Sequence, residues 1–142
     1  MFKKIILFLF VLLLVKYDVF STHIRAGEII AKRISTTSLT YEFTIIGYTD
    51  TGSEVEFGGG IFYFGDGNIL EVLDEGALTS QKILLENQVA LNLFTIVHTF
   101  QAPGRYVVSY YEQNRNNGIL NMENSVDTPF FIETEILIDP FF

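Results

Sequence analysis

Apolar and polar residues alternate with a period of two along most of the chain after residue 22. In the segments 39–45 (LTYEFTI) and 130–138 (FFIETEILI), most apolar side chains occupy every second position and polar ones lie between them. This alternation is typical of strands that bury one face and turn the other toward water. No stretch has the apolar stripe and caps of a helix. We therefore predict an all-β protein built from antiparallel strands.

Turn signals rich in glycine and asparagine divide the chain at short intervals, as in the segment 65–68 (GDGN). These residues accept the positive φ angles that tight connections require. Residues 77–85 fit either a short helix or a strand, and we choose a strand because the flanking pattern is all-β. The predicted strands lie at about 24–34, 38–49, 60–65, 69–73, 79–85, 89–100, 104–113 and 129–138.

The first residues, 1–21, have the pattern of a secretory signal peptide. Two lysines give a positive start, and an unbroken apolar run follows over 5–15. Roughly 20 apolar residues are needed to cross a bilayer as a helix, and Lys16 ends this run earlier. We predict cleavage after Ser21, export to the cell surface or the medium, and no transmembrane span in the mature chain 22–142.

Composition narrows the class of protein further. The chain contains no cysteine, so the mature domain must be stabilised by its core and not by disulfides. A mature chain of about 120 residues fits a single domain, which we place at 22–142. The formal net charge of −8 disfavours nucleic acid and anionic membrane surfaces as partners.

A first informative block is residues 62–67 (FYFGDG), at the end of a predicted strand. Asp66 lies between Gly65 and Gly67, which permit the chain to bend sharply around it. Its carboxylate can accept backbone N–H bonds that the turn would otherwise leave unpaired. We therefore interpret Asp66 as a residue that shapes the turn.

A second block combines residues 98–100 (HTF) with 102–108 (APGRYVV). The latter has the spacing of a tyrosine corner, in which a tyrosine at the start of a strand bonds through its hydroxyl to backbone a few residues upstream. We predict that Tyr106 is buried and that its hydroxyl bonds to the turn. We predict that His98 bonds to the backbone near the Pro103-Gly104 turn.

Together and in this order, the two blocks resemble the signature of PKD (polycystic kidney disease) domains. In that signature an aromatic-x-aromatic-Gly-Asp-Gly block precedes His-Thr-aromatic, Pro-Gly-x-Tyr and a valine-rich strand. The resemblance implies an immunoglobulin-like β-sandwich. Because the segment 68–97 is longer than an ordinary PKD domain uses, we expect an extra hairpin between the Gly-Asp-Gly turn and the His-Thr-Phe strand. The residues that carry the signature are Gly65, Asp66, Gly67, His98, Pro103, Gly104 and Tyr106.

A wider resemblance covers nearly the whole mature chain, including 22–29 (THIRAGEI) and 47–50 (GYTD). These segments are similar to the N-terminal domain of large exported proteins of gliding Gram-negative bacteria. Those proteins are described as gliding-motility-associated or adhesin-like. The resemblance implies a surface or secreted protein and brings no catalytic residues to transfer.

Catalytic chemistry finds little support in the sequence. There are no cysteines and two histidines, and no Gly-x-Ser-x-Gly turn presents a nucleophile. Acids such as Glu133 and Glu135 alternate along predicted strands, as they do on any solvated sheet face. We predict that the protein is not an enzyme, and we expect neither a catalytic residue nor a cofactor.

Calcium is the one ion that the sequence leaves open, because it binds oxygen ligands from loops. No D-x-[DN]-x-[DN]-G run is present, so no ligand set is assigned. The oxygen-bearing side chains in or beside turns are Asp50, Glu54, Asp66, Asn68, Asp74 and Glu75.

Glycan binding would require exposed aromatic side chains, and Tyr48, Tyr63 and Tyr111 are the candidates. A slip of one residue in strand register exchanges the two faces of a sheet, so the sequence does not decide which ring is exposed. We predict a noncatalytic extracellular module for adhesion, assembly or spacing, with surface proteins or glycans as partners. The alternative is a small carbohydrate-binding domain, which an exposed pair of tyrosines would favour.

Overall fold

The structure is a computed structural model, and it describes residues 24–52, 57–71, 79–113, 115–116 and 118–140. The predicted signal peptide, residues 1–21, lies outside these ranges. Within them, no helix is long and apolar enough to span a bilayer.

Strands dominate the described residues, and each predicted strand has a counterpart. Their bounds are β1 (Ile24–Arg33), β2 (Thr40–Asp50), β3 (Ile61–Tyr63), β4 (Ile69–Glu71), β5 (Thr79–Leu84), β6 (Val89–Thr99), β7 (Gly104–Glu112) and β8 (Phe130–Ile138). A short 3-10 helix, Ser125–Asp127, precedes β8. The choice of a strand over a helix for the segment that contains β5 is confirmed.

The strands form two antiparallel four-stranded sheets. The first sheet has the order β1-β2-β6-β5, and the second has the order β4-β3-β7-β8. Buried side chains from both sheets form one core cluster between them. The predicted all-β sandwich is therefore confirmed.

The extra strands expected between the Gly-Asp-Gly turn and the His-Thr-Phe strand are present, but they do not form a hairpin with each other. β4 pairs with β3 across the Gly-Asp-Gly turn, and β5 pairs with β6. Each short strand thus adds to the edge of a different sheet. Pairing with the neighbour in sequence through a short turn keeps the entropy cost of loop closure low.

Alternation places the core as the sequence predicted. Phe43 and Ile45 of β2 are buried in the core, and Phe130 and Ile138 of β8 are buried there from the other sheet. The ring centroids of Phe43 and Phe62 lie 5.5 Å apart across the two sheets. Burial of each such side chain stabilises the fold by about 1.5–3 kcal/mol, so an aromatic core supplies the stability that disulfides would otherwise give.

β1 and β8 run in the same direction along one side of the sandwich. Gly27, near the start of β1, packs so closely that a Cβ there would lie 2.9 Å from the ring of Phe130, the first residue of β8. At the opposite end, Arg33 Nη1 donates a hydrogen bond of 2.6 Å to the carbonyl oxygen of Asp139. The chain therefore enters at one end of the sandwich and leaves at the other, about 30 Å away.

Candidate functional site

The two blocks of the signature meet at the junction of the two sheets. Asp66 lies in the turn between β3 and β4 of the second sheet, and His98 lies in β6 of the first. His98 Nε2 and Asp66 Oδ2 are 2.7 Å apart. Their side chains are 15% and 11% exposed. This nearly buried pair links the sheets directly.

Asp66 also holds its own turn, as the sequence predicted. The backbone N–H of Asn68 donates a hydrogen bond of 3.0 Å to Asp66 Oδ1. Gly65 has φ +81°, and a Cβ there would lie 2.5 Å from the carbonyl oxygen of Val107. Glycine is therefore required at 65 both for its backbone angle and for close contact with β7.

The electrostatic balance at Asp66 favours its ionised form. Burial raises the pKa of this carboxyl, but hydrogen bonds from His98 and from Asn68 lower it, and the net pKa is below the ordinary value. A carboxylate that accepts several hydrogen bonds is stabilised in its charged state. The turn and the His98 ring together hold the charge in place.

The predicted partner of His98 was wrong. Its ring stacks on Phe64 with centroids 3.9 Å apart and meets Phe100 edge-on at 4.8 Å. Its bond goes to the Asp66 carboxylate and not to the backbone near the Pro103-Gly104 turn. The reason is that His98 points into the sandwich, where the turn of the opposite sheet supplies a stronger, charged acceptor.

The hydrogen bond predicted for Tyr106 is confirmed. Its hydroxyl donates to the carbonyl oxygen of Ala102 at 2.9 Å, and its ring lies 4.5 Å from that of Phe100. Tyr106 is less buried than predicted, since its side chain is only half-buried near the start of β7. Pro103 is exposed beside it, and Gly104 begins β7 opposite Ile138.

Asp50, one of the residues considered as calcium ligands, is bonded to an arginine and to its own turn. Asp50 accepts hydrogen bonds from Arg25 Nη2 at 2.5 Å and from the Gly52 N–H at 2.9 Å. These bonds, the Arg25 bond first, lower the pKa of the Asp50 carboxyl. Glu54, Asp74 and Glu75 lie outside the described ranges. Among the residues that the structure describes, no three candidate ligand side chains cluster as a metal site requires.

The outer face of the second sheet carries three exposed or half-buried aromatic side chains, which we call the aromatic face: Tyr63, Tyr111 and Phe131. Tyr63 is 39% exposed, Phe131 is 48% exposed, and Tyr111 is half-buried. Tyr48 lies apart from them, on the outer face of the first sheet. Phe131 was not among the candidates from the sequence, although the alternation in 130–138 already directs it outward.

A cleft of about 350 Å³ adjoins the aromatic face and shares Tyr111 with it. Its lining residues are Gly59, Gly60, Ile61, Tyr111, Glu112 and Gln113. Glu112 is 2% exposed and accepts a hydrogen bond from the Tyr110 hydroxyl. This buried acid was not predicted from the sequence, although its even spacing from Val108 and Tyr110 along β7 points it inward.

The outer face of the first sheet carries both polar and apolar side chains. Glu42 lies opposite Lys32 on β1 and Val97 on β6, and Thr44 lies opposite Ile30 and Thr95. Ile30 is 48% exposed and Val97 is 57% exposed. This face is therefore not purely polar, and it differs from the second sheet mainly in lacking a row of described aromatic rings beside a cleft.

Comparison with protein-family models, with curated proteins and with solved structures finds no match to this chain. A function for these residues therefore has to be inferred from their geometry and chemistry.

Proposed function

We propose that this protein is a noncatalytic extracellular module for adhesion, assembly or spacing in a surface or secreted protein. The observation that carries the proposal is the course of the chain, which enters the sandwich at β1 and leaves at the opposite end after β8. Modules built in this way extend in a line when they are joined through their two ends. An exported protein that must reach from a surface needs such a geometry.

We further propose that the domain is of the PKD type. The strand order supports this, because immunoglobulin domains pair their first, second, fifth and fourth strands in one sheet. β1, β2, β6 and β5 occupy those places if β4 is counted as an added edge strand. The meeting of both signature blocks at Asp66 and His98 adds support. A link to gliding motility rests on the resemblance of the sequence alone.

A noncatalytic role agrees with how the polar signature residues are used. Asp66 and His98 are the residues in which acid-base chemistry would first be sought. They bond to each other between the sheets, and the His98 ring is packed against Phe64 and Phe100. Their hydrogen bond joins the two sheets, and only small fractions of the two side chains are exposed to a substrate.

Carbohydrate binding is the second candidate, and one observation favours it. Tyr63 and Tyr111 lie on the same outer face of the second sheet, next to a cleft. The outer face of the first sheet is less distinctive, because Glu42 and Thr44 lie there beside exposed Ile30 and Val97. One module can act as a spacer through its ends and bind through the face that carries the tyrosines.

Export is tested by producing the full chain in a Gram-negative host. Added proteinase should remove the protein from intact cells, and mass spectrometry should find a mature N-terminus at Thr22. A variant with Leu12→Arg in the apolar run should stay inside the cells. An uncleaved wild-type chain that resists proteinase until the cells are lysed would contradict the proposal.

Adhesion is tested with the purified mature protein coupled to beads. Coated beads should remain on a lawn of bacterial cells under flow, and uncoated beads should wash away. Soluble mature protein should compete with the coated beads for the same sites. Equal retention of coated and uncoated beads would contradict an adhesive role and leave spacing as the function of the module.

A further inference from the structure

Three aromatic side chains of the second sheet stand in neighbouring positions. Tyr111 of β7 lies directly opposite Ile61 of β3 and Phe131 of β8. Tyr63 lies opposite Ser109, which makes it the diagonal neighbour of Tyr111. Diagonal cross-strand neighbours are about 7–8 Å apart. The rings therefore form one row that crosses three strands.

These rings are available to a ligand. In the part of the chain that the structure describes, the side chains of Tyr63, Tyr111 and Phe131 make no hydrogen bond and stack on no other ring. Phenol hydroxyls usually find a partner where the protein offers one. Exposed rings beside polar groups are typical of binding surfaces.

The cleft extends this row into a concave site. Its volume of about 350 Å³ lies within the range of roughly 300–1,000 Å³ for small-molecule pockets. Tyr111 and Ile61 give it apolar walls, and Gln113 adds an amide. At Gly59, a Cβ would meet no atom within 4 Å, so the space in front of it is open.

We propose that the aromatic face and the cleft together bind a neutral glycan. A sugar has one face of C–H bonds and a rim of hydroxyl groups, so it needs flat apolar contacts next to hydrogen-bonding groups. The rings provide the contacts. The phenol hydroxyls, Ser109, Glu133 and Gln113 provide donors and acceptors between and beside them. This proposal rests on the carbohydrate-binding alternative above.

Charge selects a neutral glycan over an acidic one. Glu71 and Glu133 lie on the same outer face as the rings, opposite Ile61 and Ser109. The nearest described cation on this face, Arg105, is paired with Glu135. With a formal net charge of −8 for the whole chain, sulfated or uronic glycans would be repelled.

The test is titration calorimetry of the mature protein with cellohexaose, chitohexaose, xylohexaose and mannohexaose. At least one should bind saturably, and Tyr111→Ala should lower that affinity by about tenfold or more. Tyr111→Phe keeps the ring and should retain most of the affinity. Gly59→Leu adds a side chain at a lining position of the cleft where a Cβ meets no atom within 4 Å, and it should also weaken binding.

Tyr48→Ala is the matched control, since it removes a tyrosine from the outer face of the first sheet. It should leave glycan affinity unchanged, and heparin should not bind to any variant. Thermal unfolding of every variant separates a lost site from a lost fold.

Failure of all four oligosaccharides to bind, or equal losses in Tyr48→Ala and Tyr111→Ala, would overturn the glycan site. Binding of an immobilised basic protein that is lost only in Tyr111→Ala would instead assign the face to a protein partner. Neither outcome bears on export, which the proteinase experiment measures separately.

Discussion

At the scale of single residues, Asp66 combines two tasks in one carboxylate. One oxygen accepts the Asn68 N–H within the turn, and the other is bonded to His98 of the opposite sheet. Both bonds use the ionised form, and they hold the pKa of Asp66 below its ordinary value against the opposing effect of burial. The charge state of this one group therefore bears on how firmly the two sheets are joined.

Stability should decrease in acid through this group. Because the pKa of Asp66 is lower in the folded than in the unfolded protein, its contribution is present above the unfolded pKa and is lost as the pH falls below about 4. Asp66→Asn should lower the free energy of unfolding at neutral pH by about 1.5–3 kcal/mol. Urea unfolding between about pH 3 and pH 7 should show a smaller pH dependence in the variant. Equal pH dependence in both proteins would contradict the assignment.

Tyr106 offers a second residue-scale prediction. Tyr106→Phe removes the hydrogen bond to the Ala102 carbonyl and keeps the ring against Phe100. The free energy of unfolding should fall by about 0.5–1.5 kcal/mol, measured by urea unfolding. Tyr111→Phe, whose hydroxyl has no described partner, is the control and should change stability little.

The two signature residues also show what sequence can predict about a site. The Tyr106 bond reaches back four positions, to Ala102, so local spacing was enough to predict it. The partner of His98 lies 32 positions away in the other sheet. Only the packing of the two sheets brings that carboxylate to the ring, and no local pattern encodes it.

At the scale of elements, the turn between β3 and β4 fixes the geometry of the signature cluster. Gly65 and Gly67 both have positive φ, at +81° and +93°. Only Gly65 lies against the backbone of β7, so the two glycines separate the effect of backbone angle from that of close packing.

Gly65→Ala should therefore be much more destabilising than Gly67→Ala. Both variants place a side chain at positive φ, which costs about 1–2 kcal/mol. Gly65→Ala adds a clash with the Val107 carbonyl and should reach about 2–4 kcal/mol. Chemical denaturation of the two variants measures the difference. Equal losses of unfolding free energy in the two variants would contradict the close contact between Gly65 and the backbone of β7.

Strand positions followed from the sequence much better than strand pairing did. Alternation and turn signals located the strands, because side-chain period, burial on one face and turn chemistry are properties of the local chain. The pairing of β4 with β3 and of β5 with β6 was not predicted. Which neighbour an edge strand joins depends on the arrangement of both sheets, and that information is not local.

At the scale of the whole molecule, the sandwich has two outer faces and two opposite ends. The second sheet exposes the aromatic face beside a cleft, and the first sheet presents threonines and charged side chains together with exposed Ile30 and Val97. A module joined through its ends leaves both faces free for contact. Spacing and binding are therefore compatible in one domain.

The proposal of a module joined through opposite ends depends on the relative direction of β1 and β8. Because the chain has no cysteine, spin labels can be attached at introduced cysteines without background. Double electron–electron resonance on the variant with Ala26→Cys and Leu137→Cys tests this direction. The two positions are exposed and lie near the start of β1 and the end of β8. The expected separation is about 25–30 Å.

The control pair is Ala26→Cys with Phe131→Cys, which places the labels at the same end of the sandwich, on its two outer faces, and should give a clearly shorter separation than the first pair. Parallel β1 and β8 predict a long distance for the first pair and a short one for the second. The reverse order of the two distances would show that the chain enters and leaves at the same end, and it would contradict the proposal of a module joined through opposite ends.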